Sequence, residues 1–168
     1  VDTCGYVPSS DIELILPYVS FFLWDIKVMD EQKHLEYTGV SNKLILDNLK
    51  MVAEKKVPVY IRIPVIPGYN DDIANMKATC EFARGLESLV EIDLLPLHHL
   101  GEARYTSLDR YYPLQGIPLV SEERMQELIF YDLPQADPGE IFPKQLFSFI
   151  RSARGFFLDR LKDPERRI

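Results

Sequence analysis

The sequence predicts an α/β fold in which parallel strands alternate with helices, and three observations lead there. Residues 57–65 read Val-Pro-Val-Tyr-Ile-Arg-Ile-Pro-Val, an apolar run of the kind a parallel sheet buries on both faces. Strand-like runs recur with more than ten residues between them, the length a parallel crossover requires. Between these runs the apolar residues recur at helical spacing, so the order is strand, loop, helix, as in the βα units of a barrel or an open sheet.

The elements follow in order. Val1-Asp2-Thr3-Cys4-Gly5 resembles a strand end and a turn glycine, and with no initiator Met we expect more chain upstream. Ser9-Ser10-Asp11 offers an N-cap, with Glu13 for a capping box, to a short helix ending at Pro17. Aromatic and branched residues mark a strand at 20–27, and Asp30 caps a helix containing His34 and Leu35. Leu44, Leu46, Leu49, Val52 and Ala53 outline the next helix. After the strand at 57–65, Pro67-Gly68-Tyr69-Asn70-Asp71 is turn chemistry, with Asn70 or Asp71 as cap of a helix over 73–85. A strand over 90–96, a long ordered loop over 101–117 and a helix capped by Ser121 complete the body.

Residues 1–130 form this body, and residues 131–168 form an extension set off by Pro134 and Asp137-Pro138-Gly139. Phe147, Ile150, Phe157, Leu158 and Leu161 predict an amphipathic helix in the extension. Residues 1–140 carry 12 Lys/Arg against 23 Asp/Glu, while residues 141–168 carry 7 against 3, so the extension is basic and the body acidic. A formal charge of -7 argues against nucleic acid, which needs a basic face to release counterions. No apolar run approaches the roughly 20 residues of a membrane helix, so the expectation is a cytoplasmic protein with no membrane partner. Cys4 and Cys80 are too few for a disulfide framework and too far apart in sequence for a local metal knuckle.

In parallel α/β folds the working groups gather at the carboxyl ends of strands. Asp25 and Lys27 are two apart at such an end and share a face; they suit either a ligand or a structural ion pair. Arg62 lies among Val59, Ile61, Ile63 and Val65, where a planar cation calls for a polar cavity and a carboxylate or nucleotide ligand rather than a neighbouring acid. His98 follows the next strand, and Asp2 ends the first. Together these groups suit a zwitterionic or carboxylate ligand.

The wording of these strands carries a resemblance. Asp2-Thr3-Cys4-Gly5-Tyr6-Val7, Leu23-Trp24-Asp25-Ile26-Lys27, Thr38-Gly39-Val40-Ser41-Asn42, Ile61 through Asp71 (IRIPVIPGYND), and Leu94-Leu95-Pro96-Leu97-His98-His99-Leu100-Gly101 resemble, in order and spacing, the second half of the glycyl-radical-enzyme activases. These are radical S-adenosylmethionine enzymes of the pyruvate formate-lyase activating enzyme type. The resemblance covers about residues 1–128 and implies the C-terminal part of a partial (β/α)6 TIM-like barrel, from the end of its third strand to its sixth.

It further implies S-adenosylmethionine and a 4Fe–4S cluster in a full-length parent. The cofactor's reductive cleavage gives a 5′-deoxyadenosyl radical that takes hydrogen from a glycine of a partner. That partner would be pyruvate formate-lyase or a relative, and a flavodoxin or ferredoxin would donate the electron. Matched by motif position, Asp25, Lys27, Arg62 and His98 would bind the cofactor, and Asp2, Thr3 and Asp25 would hold a monovalent cation. The family's CxxxCxxC motif is absent, so the expectation is a fragment that binds no cluster and has no activity by itself. Leu97 stands where pyruvate formate-lyase activases usually have Tyr, and the Thr-Cys-Gly turn is commoner in relatives with other partners. Two other classes stay open: a non-catalytic module that binds a partner's glycine loop, and a radical enzyme acting on a small molecule.

Overall fold

The computed structural model describes residues 1–130 and 150–152. Strands β1 (Asp2–Thr3), β2 (Phe22–Asp25), β3 (Val59–Val65), β4 (Leu89–Pro96) and β5 (Ile150–Ser152) form one sheet in sequence order, with every neighbouring pair parallel. Between them run α1 (Ser9–Ile15), α2 (Glu31–Thr38), α3 (Lys43–Glu54) and α4 (Ile73–Ala83), and after β4 come α5 (Glu102–Ser107) and α6 (Glu122–Phe130). Because all strands run the same way, their carboxyl ends lie along one edge. This is the layout of a partial (β/α) barrel.

Alternation along each strand sorts the side chains. Phe22, Trp24, Val59, Ile61, Ile63, Val65, Ile92 and Leu94 join Leu49 and Val52 of α3, Met76 of α4 and Leu128 of α6 in a single core. Gly5 serves this core: its φ of +72° suits glycine, and a Cβ there would stand 2.0 Å from Trp24 Cζ2.

Several local expectations hold. The Asp30 side chain accepts from Lys33 N at the start of α2, and Ser121 Oγ accepts from Arg124 N at the start of α6. Others are corrected. The N-cap of α1 is Pro8 with no side-chain cap bond, because Ser9 Oγ instead donates to Asn48 Oδ1 at 2.6 Å. The cap of α4 is Asp72, which accepts from Asn75 N at 2.7 Å, while Asn70 and Asp71 serve the preceding turn. The loop over 101–117 contains α5.

In the extension, the helix expected through Ile150 is not found at that point. Ile150–Ser152 is a strand beside β4, with Arg151 at the register position of Asp93, so backbone pairing with the edge of β4 prevails there over helical periodicity. The remaining positions of that expectation, Phe147, Phe157, Leu158 and Leu161, lie outside the described residues.

Candidate functional site

The inward face of the sheet carries the polar alternates of the same strands. Register sets Asp25 beside Arg62 and Arg62 beside Asp93. Arg62 reaches across two strands, its Nε donating to Asp25 Oδ1 at 2.8 Å and its Nη1 to Asp2 Oδ2 at 3.0 Å, with a second bond from Nη2 to Asp2 Oδ1. Lys27 Nζ closes the row on Asp25 Oδ2 at 2.7 Å. Two acids and two bases therefore alternate as Asp2, Arg62, Asp25, Lys27. Burial pulls the Arg62 pKa down, but the bonds and charges of Asp2 and Asp25 outweigh it and leave the value raised.

Asp25 and Lys27 do form an ion pair, and Arg62, expected to await a ligand, is held by neighbouring acids. The acids come from β1 and β2, and only the register of three strands reveals that they meet it. Ligand capacity lies at the two ends of the row. Arg62 and Asp25 are 17% and 20% exposed, whereas Lys27 is 38% and Asp2 62% exposed, so an open cation and an open carboxylate flank a closed pair. Such ends match a zwitterion, each charge of which meets its opposite.

Thr3 Oγ1 accepts from Gly5 N at 2.9 Å, which shapes the turn after β1. His98 is exposed and extended, with φ -137° and ψ 148°, at the end of β4; it makes no bond to the row. Asp93, which the sequence reading passed over, is 2% exposed and stands at the register position of Arg62 on β4. Its signal was present: an acid between Ile92 and Leu94 breaks an apolar strand as Arg62 breaks β3.

The chain is 43% identical over 130 residues to isethionate sulfite-lyase activating enzyme of Oleidesulfovibrio alaskensis, covering 76% of this chain and 41% of that protein. It is 38% identical over 130 residues to trans-4-hydroxy-L-proline dehydratase activating enzyme of Clostridioides difficile, covering 76% and 43%. The crystal structure of a domain of pyruvate-formate lyase-activating enzyme from Bacteroides vulgatus superposes with a TM-score of 0.62 at 33% identity, over 77% of this chain and 71% of that one. The chain belongs to the glycyl-radical-enzyme activating enzyme family. It spans about two fifths of the length of the curated activating enzymes it matches. A radical SAM methyltransferase from Sphaerobacter thermophilus, at 16% identity and a TM-score of 0.60, shares the fold. No protein-family model matches the chain.

Proposed function

We propose that this chain is the C-terminal part of a cytoplasmic radical S-adenosylmethionine activase, and that Lys27, Asp25, Arg62 and His98 form part of its cofactor site. The observation that carries the reading is the charged row at the strand ends, closed in its middle and open at Lys27 and Asp2. S-adenosylmethionine presents an amino-acid carboxylate, and the open end at Lys27 suits that charge. Lys27 would bind a carboxylate by a charge-assisted hydrogen bond, and Arg62 would keep Asp25 oriented beside it. Asp2, Thr3 and Asp25 would hold a monovalent cation, which offsets the repulsion between two acids and a ligand carboxylate. His98, exposed at the end of β4, is free to meet the remainder of the cofactor.

The described residues do not fit the iron–sulfur cluster. Among them no group of three His, Cys, Asp or Glu side chains converges to hold a metal, and Cys4 and Cys80 are half-buried and form no disulfide. The thiolates would come from elsewhere in a longer protein, and this chain alone would be inactive. When bound together, cofactor and cluster supply a radical able to abstract hydrogen. This chain's residues would hold the cofactor so that it faces a glycine of a partner glycyl radical enzyme, with a flavodoxin or ferredoxin as electron source. Among the described residues no helix is long and apolar enough to cross a membrane.

The test is electron paramagnetic resonance on the full-length protein, reconstituted anaerobically with iron and sulfide and mixed with S-adenosylmethionine, a reductant and candidate glycyl radical enzymes. A glycine-centred signal on one partner is expected. Cofactor cleavage with no protein radical on any of them would point instead to a small-molecule substrate.

A further inference from the structure

Just beyond β2 and Ile26, the residues Lys27, Val28 and Met29 are pinned through their backbone by three buried asparagines. Asn70 Nδ2 donates to Lys27 O at 2.6 Å, Asn42 Nδ2 donates to Val28 O at 3.1 Å and to Met29 O at 2.8 Å, and Asn75 Oδ1 accepts from Met29 N at 2.8 Å. These asparagines are 3%, 4% and 6% exposed; Asn42 precedes α3, and Asn70 and Asn75 flank the start of α4. Buried amides this fully bonded are rigid supports, since loss of any partner leaves a desolvated polar group.

Asn70 has a second role, set by Pro64. The β2–β3 ladder runs as far as Ile26 N, which donates to Arg62 O at 3.0 Å. Residues alternate their edges along a strand, so Pro64 faces β2 as Arg62 does, but it has no N–H to offer Ile26 O. The ladder stops at that rung. Into the gap comes the Asn70 amide, whose Nδ2 also donates to Pro64 O at 2.7 Å and whose Oδ1 accepts from Ile66 N at 2.7 Å. One side chain thus bridges the ends of β2 and β3 where backbone pairing cannot. Asn75 Nδ2 in turn donates to Asn70 O at 3.3 Å and steadies the bridge.

A turn would need only the bonds to Pro64 and Ile66. The bond to Lys27, 43 residues away, addresses the charged row itself. We propose that Asn70 is a positioning residue of the cofactor site: it holds the seam between β2 and β3 apart and fixes the main chain of Lys27, with Asn42 and Asn75 as its supports. The inference rests on Lys27 being a cofactor-binding residue. Its consequence is preorganisation, because the ammonium starts from a fixed root and less freedom is lost on binding.

The experiment measures anaerobic S-adenosylmethionine affinity by calorimetry, and the unfolding temperature, in the reconstituted full-length protein and its variants. Asn70→Ala should weaken binding about tenfold, the scale on which supporting hydrogen-bond partners of a site act. Asn75→Ala, which frees Met29 N but leaves the Asn70 amide, should weaken it by less. Val52→Ala, which thins the core beneath a residue of 0% exposure, should lower the unfolding temperature and keep the affinity. In a Lys27→Ala background, Asn70→Ala should cost no further affinity, because coupled residues do not add. Equal losses with and without Lys27, or a loss of affinity in Val52→Ala matched to its instability, would reduce Asn70 to a purely structural residue. Weakened binding by Lys27→Ala beside unchanged binding by Asn70→Ala and Asn75→Ala would overturn this inference alone. Unchanged binding by Lys27→Ala would remove the site reading, and the inference with it.

Discussion

On β3, Val59, Ile61, Ile63 and Val65 are at most 2% exposed and share one core with α3, α4 and α6, while Tyr60, Arg62 and Pro64, one residue away in each case, are only half-buried. The same split runs through β2, where Phe22 and Trp24 are core and Asp25 carries the charged row. Both faces are written on the same residues in alternation, and a slip of one residue would exchange them. The outer face therefore holds the fold, and the inner face carries the charged row proposed to bind the cofactor.

If that division is sound, the largest stability losses belong to the outer face. Trp24→Ala, at a site of 0% exposure, should destabilise by about 3–5 kcal/mol in urea unfolding. Arg62→Ala should cost less, about 1–3 kcal/mol, because it removes bonds to charged partners of which Asp2 is mostly exposed. A cost equal to that of Trp24→Ala would break the comparison, since the inner face would then be holding the fold. The pH dependence follows from the raised Arg62 pKa: the stabilisation is fully present below the ordinary arginine value and is lost only as pH rises through the raised one. Its size should stay constant from neutral to mildly alkaline pH.

The smallest effect lies on neither face. Glu123, at the start of α6, has its pKa lowered by a hydrogen bond from its own backbone N–H and then by the Ser121 hydroxyl. Its contribution is present above the ordinary carboxylate value and fades as pH falls through the lowered one. Ser121→Ala should move the Glu123 titration upward in an NMR experiment without affecting ligand binding. An unmoved titration would remove Ser121 as a cause.

Much of this was legible in the sequence because it depends on local period. The strand at 57–65, the Asp30 and Ser121 caps and the placement of Asp25 at the end of β2 with Lys27 just beyond it follow from residues a few positions apart, whereas β3 is buried on one face only and Arg62 lies at its middle rather than its end. What failed was long-range. Ser9 looked like a cap, but its hydroxyl is taken by Asn48, 39 residues on. Asn70 read as a helix cap because turn chemistry surrounds it, yet its amide bridges two strands. The acids that satisfy Arg62 are 37 and 60 residues away, and Ile150 joined a sheet edge that no helical periodicity reveals.

The central claim is that the inner face at the strand ends binds the cofactor. The most direct measurement is a calorimetric titration of S-adenosylmethionine into the reconstituted full-length protein and its Lys27→Ala, His98→Ala and Cys80→Ala variants. Lys27→Ala should weaken binding by about one to two orders of magnitude, as expected for a charge-assisted hydrogen bond of roughly 1.5–3 kcal/mol. His98→Ala should weaken it by less, and Cys80→Ala, in a helix behind the sheet, should leave it unchanged. Unchanged affinity in both the Lys27 and His98 variants would contradict the assignment of this face.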